Sequence, residues 1–195
     1  YEYVRGSLTY QGITYDNVAI RTKGENSWKP IDEKASLKID LNHYEDGPGD
    51  ILGLKKITLQ AMNEDYSMMH ERIGYRMFRE AGVPAARATH ALVYLNGDYY
   101  GLFTHLESVD DVMIGRWFDD DSGSLFEQHD ADYYTDYVQD NIHFQLEEGE
   151  DNRDALQALA DDHRNDVVSN TWGLGALLAA GKNRIIERGV LCLSS

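Results

Sequence analysis

The sequence predicts an α+β fold: an antiparallel sheet of about five or more strands with one helix packed on it, followed by a less regular, acidic and more helical region. Three observations carry this. Period-two apolar alternation recurs in short segments through the first 107 residues, a single strongly helical stretch interrupts them, and most of the acidity is concentrated beyond residue 118. Among 195 residues with a net charge of -16, residues 1–118 hold 17 acids against 13 bases, residues 119–166 hold 16 against 2, and the remainder holds 1 against 3.

Tyr3 to Tyr10 and Ile13 to Arg21 read as two β segments joined by a turn at Gln11-Gly12. In the next strand Leu37, Ile39 and Leu41 share one face, so Ser36, Lys38 and Asp40 share the other. Asp46 to Gly49 is a turn, and Ile57 and Leu59 mark a short strand. From 67 to 81 the period becomes helical. Met69, Ile73 and Met77 lie four apart, Phe78 and Ala81 widen an inward stripe, Asp65 or Ser67 caps the start, and Gly82 followed by Pro84 ends it. Ala91, Val93 and Leu95 then alternate into Asn96-Gly97, a hairpin turn, and the strand from Tyr99 to Glu107 returns beside them. Val109 to Phe118 reads as a short helix, Asp119 to Gly123 as a loop, and Ser124 to Glu127 as a strand. Asp130 to Asp151 reads as a long irregular loop, and the acidic stretch 145–166 contains a helix with Leu156 and Leu159 inward. The organisation is thus 1–127, β-rich with the 67–81 helix, then 128–170, acidic and irregular or helical. Residues 171–195 form an atypical tail whose apolar small-residue run sets it apart from native domain sequence. Tyr1 opens inside a strand, as if cut from a longer protein.

Composition narrows the partners. Excess acid disfavours nucleic acid and anionic lipid, which reward Lys and Arg clusters, and with no run of about 18 apolar residues direct membrane insertion is not expected. The lone Cys192 forms no internal disulfide and leaves the redox compartment open.

Against this acidity, local basicity needs a reason. Arg21, Lys23 and Lys38 supply fixed positive charge beside a polar loop whose Gly24, Asn26 and Ser27 offer backbone freedom and donors, a combination suited to phosphate. The competing reading is ordinary solvent-facing charge on half-exposed strands, with Gly24 serving only a turn and Glu71 only complementing a helix N-terminus. His43 and His70 stand apart from other metal ligands, Asp119-Asp120-Asp121 lacks calcium-loop spacing, and Met68, Met69 and Met77 read as core filling.

The succession Val18 to Ser27 (VAIRTKGENS), Ser36 to Asp40 (SLKID), Gly53 to Leu59 (GLKKITL), Met69 to Pro84 (MHERIGYRMFREAGVP) and Val93 to Phe103 (VYLNGDYYGLF) resembles the CotH family, the spore-coat-protein-H kinases, in order and spacing from about Val18 to Phe126. The resemblance implies an atypical protein kinase whose small lobe is the sheet and helix above. It also implies ATP with Mg or Mn as cofactors, a Ser-containing protein as substrate, and an extracellular, cell-surface or spore-coat location. In kinase terms Lys38 would neutralise phosphate charge, Glu71 would position Lys38, and the loop Thr22 to Trp28 would cover the phosphates. Glu107, where a connection to a second lobe would begin, would meet the base or ribose. The metal ligands stay unassigned. His163-Arg164-Asn165-Asp166 with Asn170 departs from the kinase catalytic loop, because Asn165 occupies the base position and the Asp-to-Asn interval is one residue short. The expectation is therefore a nucleotide-binding portion, truncated and inactive alone. The alternative is a non-catalytic surface or spore-coat module in which Tyr99, Tyr100, Tyr133, Tyr134 and Tyr137 contact protein or glycan.

Overall fold

The computed structural model of the chain describes residues 2–24, 27–120, 122–128, 138–168, 183–186 and 190–193. Two compact units divide it: Tyr1–Gly82 with Ala86–Ser108, and Val83–Ala85 with Val109–Ser195. The sequence reading draws its line at 127; the strand at Ser124–Gln128 pairs within the second unit, which sets the division of the structure at Ser108.

The first unit is a six-stranded antiparallel sheet. Its strands are β1 (Val4–Tyr10), β2 (Ile13–Lys23), β3 (Ser36–Asp40), β4 (Lys56–Gln60), β5 (Ala88–Leu95) and β6 (Asp98–Glu107), ordered β1-β2-β3-β4-β6-β5. Both hairpin turns arise from their residues. Gln11-Gly12 and Asn96-Gly97 have φ of 51°, 81°, 52° and 92°, the left-handed pairs that two-residue loops need to match strand twist. Alternation sets the faces: Leu37 and Ile39 are buried while Ser36, Lys38 and Asp40 are half-buried on the opposite side. The apolar face packs Val18, Leu37, Ile39, Leu41, Ile51, Leu59, Ala61 and Phe103 into one core, where each full burial contributes about 1.5–3 kcal/mol for the larger side chains.

The helix α1 runs His70–Glu80. Both expected caps act. Asp65 Oδ2 accepts from the His70 amide at 2.8 Å, Asp65 Oδ1 takes the Ser67 hydroxyl at 2.6 Å, and Ser67 Oγ accepts from the Met69 amide at 3.2 Å. Gly82, at φ 77°, closes the other end with its amide on the Arg79 carbonyl. The orientation of α1 corrects the sequence reading. Ile73 and Met77 are 47% and 65% exposed and Phe78 is 38% exposed, so the predicted inward stripe faces out and Met77 is not core filling. The contacts that hold this orientation are polar: α1 lies against β5, Arg72 and the Met68 carbonyl meet His90, and Glu71 meets Gln60. The half-buried side of the helix is accordingly Glu71, Gly74, Tyr75 and Arg79.

The second unit contains α2 (Asp111–Trp117), whose Asp110 side chain accepts from the Met113 amide, and α3 (Arg153–Val168). Its strands are β7 (Ser124–Gln128), β8 (Phe144–Glu148), β9 (Asn183–Ile186) and β10 (Val190–Leu193), ordered β8-β7-β10-β9. Strand β8 falls where the sequence reads as irregular loop, because only Phe144 and Leu146 alternate within five residues; Phe144 completes a core with Phe126, Val138, Leu156, Leu159 and Ala160. The helix places Leu156 and Leu159 inward as the sequence indicates. Within the tail, β10 pairs with β7 and β9 by backbone register. No helix among the described residues is long and apolar enough to cross a membrane.

Candidate functional site

Cross-strand register assembles the polar face of the first sheet. Arg21 on β2 stands directly opposite Lys38 on β3, and Lys38 opposite Thr58 on β4; one step along, Lys23 stands opposite Ser36 and Asp40 opposite Lys56. Residues directly opposite in an antiparallel pair share a face, so Arg21, Lys23, Lys38, Lys56, Thr58 and Gln60 project together. Adjacent cations at direct pairing distance repel one another, and the same face carries Asp40 opposite Lys56.

Lys23 Nζ donates to Gln60 Oε1 at 3.0 Å, and Gln60 Nε2 donates to Glu71 Oε1 at 3.5 Å, which brings the acid of α1 onto the basic face. Glu71 and Lys38 thus lie on the same side of the sheet, with Glu71 reaching it through β4. Arg21 donates from Nη1 to the Thr22 carbonyl at 3.1 Å, and its guanidinium lies 5.3 Å from the ring centre of Tyr3. Ser36 Oγ accepts the Ala61 amide at 2.9 Å, fixing the strand end beside Lys23.

The loop after β2 begins at Gly24, with φ of 124°. A Cβ there would meet the Trp28 amide nitrogen at 3.0 Å and Cα at 3.1 Å, so both the backbone conformation and the close return of the chain require glycine. Trp28 Nε1 donates to Thr22 Oγ1 at 3.1 Å and ties the far side of the loop back to β2. Ser27 is exposed, and Asn26 lies outside the described residues.

Glu107 does not join this group. It stands opposite Ile57, hence on the apolar side of the sheet from Lys38, and its carboxylate is held by Arg87: amide to Oε2 at 2.9 Å, Nε to Oε1 at 3.0 Å, Nη2 to Oε1 at 2.7 Å. This forked ion pair clamps the ends of β5 and β6, with the Glu107 side chain 2% exposed. Burial, with the Arg87 charge adding and Glu107 opposing, holds His105 below its ordinary pKa.

Other candidate residues have structural partners. His70 meets Asp65 at 3.0 Å, and the carboxyl of Asp65 is held down at about 2 by the Ser67 hydroxyl and the amides it caps. His43 packs between Tyr3 and Tyr44, at 4.6 and 4.8 Å between ring centres. Asp120 accepts the Ser122 amide and hydroxyl as a turn residue. Tyr100, expected to be an exposed contact residue, instead stacks on Phe103 at 5.5 Å with its hydroxyl between the Ala35 amide and the Ile31 carbonyl. Tyr99 is 60% exposed and pairs edge-on with Tyr94 at 5.6 Å. Tyr133, Tyr134, Tyr137 and Asn170 lie outside the described residues, and His163 to Asp166 is part of α3. Among the described residues no group of three or more His, Cys, Asp or Glu side chains is arranged to hold a metal ion.

Sequence reasoning names Arg21, Lys23, Lys38 and Glu71, and misses Gln60. Its signal is present in the chain: Gln60 is one alternation step beyond Thr58, on the side opposite Ile57 and Leu59.

Over 69 residues the chain is 32% identical to the inner spore coat protein H of Bacillus subtilis (strain 168), covering 35% of this chain and 19% of that protein. Over 76 residues it is 30% identical to the inner spore coat protein H-like protein of the same organism, covering 39% and 23%. These matches span less than a quarter of either relative's length. The family model described as CotH kinase protein matches residues 20–172, from the end of β2 through α3, and on that extent the chain belongs to the CotH family.

Proposed function

We propose that the basic face of the first sheet binds the phosphates of ATP, and that the chain is the nucleotide-binding portion of a CotH-type protein kinase that phosphorylates Ser on a partner protein. The observation that carries this reading is the direct pairing of Arg21 with Lys38, with Lys23 and Glu71 brought beside them through Gln60. Phosphoryl transfer is catalysed mainly by positioning and charge neutralisation, so Lys38 and Arg21 would neutralise phosphate oxygens, Lys23 would meet them from the mouth of the Gly24 loop, and Glu71 would hold the cations in register. In the reaction the Ser hydroxyl oxygen bonds to the γ-phosphorus as the bond to the β–γ bridging oxygen breaks, ADP leaves, and the hydroxyl proton is released to a base. Mg or Mn is part of this reading through the family alone. No described group fits a metal, and no step is assigned to one. The names of the relatives support a spore-coat location.

The test is nucleotide-dependent thermal stabilisation followed by calorimetry. ATP raises the melting temperature of the wild-type chain, and Lys38→Ala weakens ATP binding at least tenfold. Unchanged affinity in Lys38→Ala would overturn the assignment of Lys38.

A second reading rests on the exposed Tyr94–Tyr99 pair: a surface or coat module that contacts protein or glycan through this hairpin. It predicts no stabilisation by nucleotide, and loss of partner binding on Tyr99→Ala.

A further inference from the structure

We infer that Gln60 is the positioning residue of the phosphate face, a neutral bridge that links α1 to the lysine at the mouth of the Gly24 loop; the inference rests on the phosphate reading above. Gln60 ends β4, a strand hydrogen-bonded on both sides, opposite Thr104 of β6. On the β3 side the following amide, that of Ala61, donates to Ser36 Oγ at 2.9 Å. The side-chain amide of Gln60 has the two polarities needed to touch unlike charges: Oε1 accepts from Lys23 Nζ at 3.0 Å, and Nε2 donates to Glu71 Oε1 at 3.5 Å.

The choice of an amide has electrostatic consequences. A carboxylate at this position would draw Lys23 in more strongly, but would stand as a like charge beside Glu71 and subtract positive potential where phosphate is to bind. An apolar residue would remove both of these contacts. Gln60 orients the ammonium of Lys23 while adding no charge of its own. Because Glu71 sits in the first turn of α1, any displacement of that helix is passed through Nε2 to the amide and, through Oε1, to Lys23. The position of α1 and the readiness of the loop lysine for phosphate are thus mechanically joined through one side chain.

The inference is tested on the full chain in two arms. In ligand-free protein, the side-chain amide resonances of Gln60 are followed by NMR. Lys23→Ala and Glu71→Ala are each expected to shift them, because each removes one end of the bridge. Shifts in neither variant overturn the bridge, whatever the nucleotide result. In the second arm ATP affinity is measured by calorimetry for Gln60→Glu and Gln60→Leu, alone and combined with Lys23→Ala. Each single variant is expected to weaken ATP about tenfold, the size of one charge-assisted contact. In the Lys23→Ala background Gln60→Leu is not expected to weaken it further by as much as twofold, whereas Gln60→Glu, which adds a negative charge to the face, weakens it in both backgrounds. Equal effects of Gln60→Leu in both backgrounds, or affinity unchanged in the single variants, would show a packing role and overturn the positioning role. Melting temperatures of the Gln60 variants within about 2 °C of wild type, a shift worth under about 1 kcal/mol, exclude misfolding as the cause. Wild type that binds no ATP refutes the phosphate reading itself, and the NMR arm then still decides whether Gln60 joins Lys23 to Glu71.

Discussion

Replacing Arg153 with Met should unfasten the second unit from within. The Arg153 side chain is 13% exposed and its Nη1 donates to three carbonyls, those of Val138 at 3.0 Å, Asp140 at 3.1 Å and Phe144 at 2.8 Å. Nη2 donates to Asn141 Oδ1 at 3.0 Å, Nε meets the Asp151 carboxylate, and the guanidinium carbon lies 4.9 Å from the centre of the Phe126 ring. Methionine keeps most of the aliphatic stem, so the change isolates the lost donors from lost packing. Asp140 and Asn141 are exposed enough for water to replace the arginine, whereas Val138 and Phe144 are fully buried. Counting only those two carbonyls, at about 1–3 kcal/mol for each buried acceptor that loses its donor, gives a destabilisation of about 2–6 kcal/mol. The assay is hydrogen exchange across 144–148, where local opening of β8 reports the second unit separately from the first, together with urea unfolding. Arg153→Lys, with one compact donor head in place of the fork, should recover only part of the loss. Exchange rates and an unfolding midpoint indistinguishable from wild type in Arg153→Met would refute the view that this guanidinium organises the 138–144 segment.

Three further outcomes are expected. Asp65 has a folded pKa of about 2 against 3.8 for the free group, so its stabilising effect is complete above pH 3.8 and is lost as pH falls through about 2; Asp65→Asn should flatten the acid limb of the melting profile between those values. His105 is shifted the other way for a base. Its folded pKa lies below 6.5, so the unfolded chain takes the proton first and stability falls as pH drops below 6.5, a slope that His105→Leu should reduce in pH-dependent melting curves. Gly24→Ala should distort the loop, because the added Cβ meets the backbone of Trp28 at 3.0 Å; a changed Trp28 fluorescence and at least fivefold weaker ATP binding are expected, and an unaltered spectrum would show that the loop accommodates the methyl group.

Local rules make much of the first unit legible. Alternation at 36–41 names both faces of β3, Asn96-Gly97 and Gln11-Gly12 name two turns, and Asp65, Ser67 and Gly82 mark the ends of α1, because each depends on backbone geometry within a few residues. The cations of the candidate site are visible for the same reason, since period two alone places Lys38 away from Leu37 and Ile39. Which surface each face meets is not a local property of the chain. The stripe of Ile73, Met77 and Phe78 has the spacing of a buried helix face, yet the sheet beneath α1 presents His90 and Gln60, so Glu71 turns inward and the stripe outward. Glu107 fits the strand pattern as an end residue, but only the pairing of β6 with β4 and β5 sets it across the sheet from Lys38 and against Arg87. Gln60 likewise acquires its role from two partners 37 and 11 residues away. The sequence by itself determined the strands of the first sheet, the turns, the caps and the location of the charge, because those arise from short-range sterics and periodicity. The tertiary structure alone decided which charges meet, because strand order and helix orientation are settled by contacts between residues far apart in the chain.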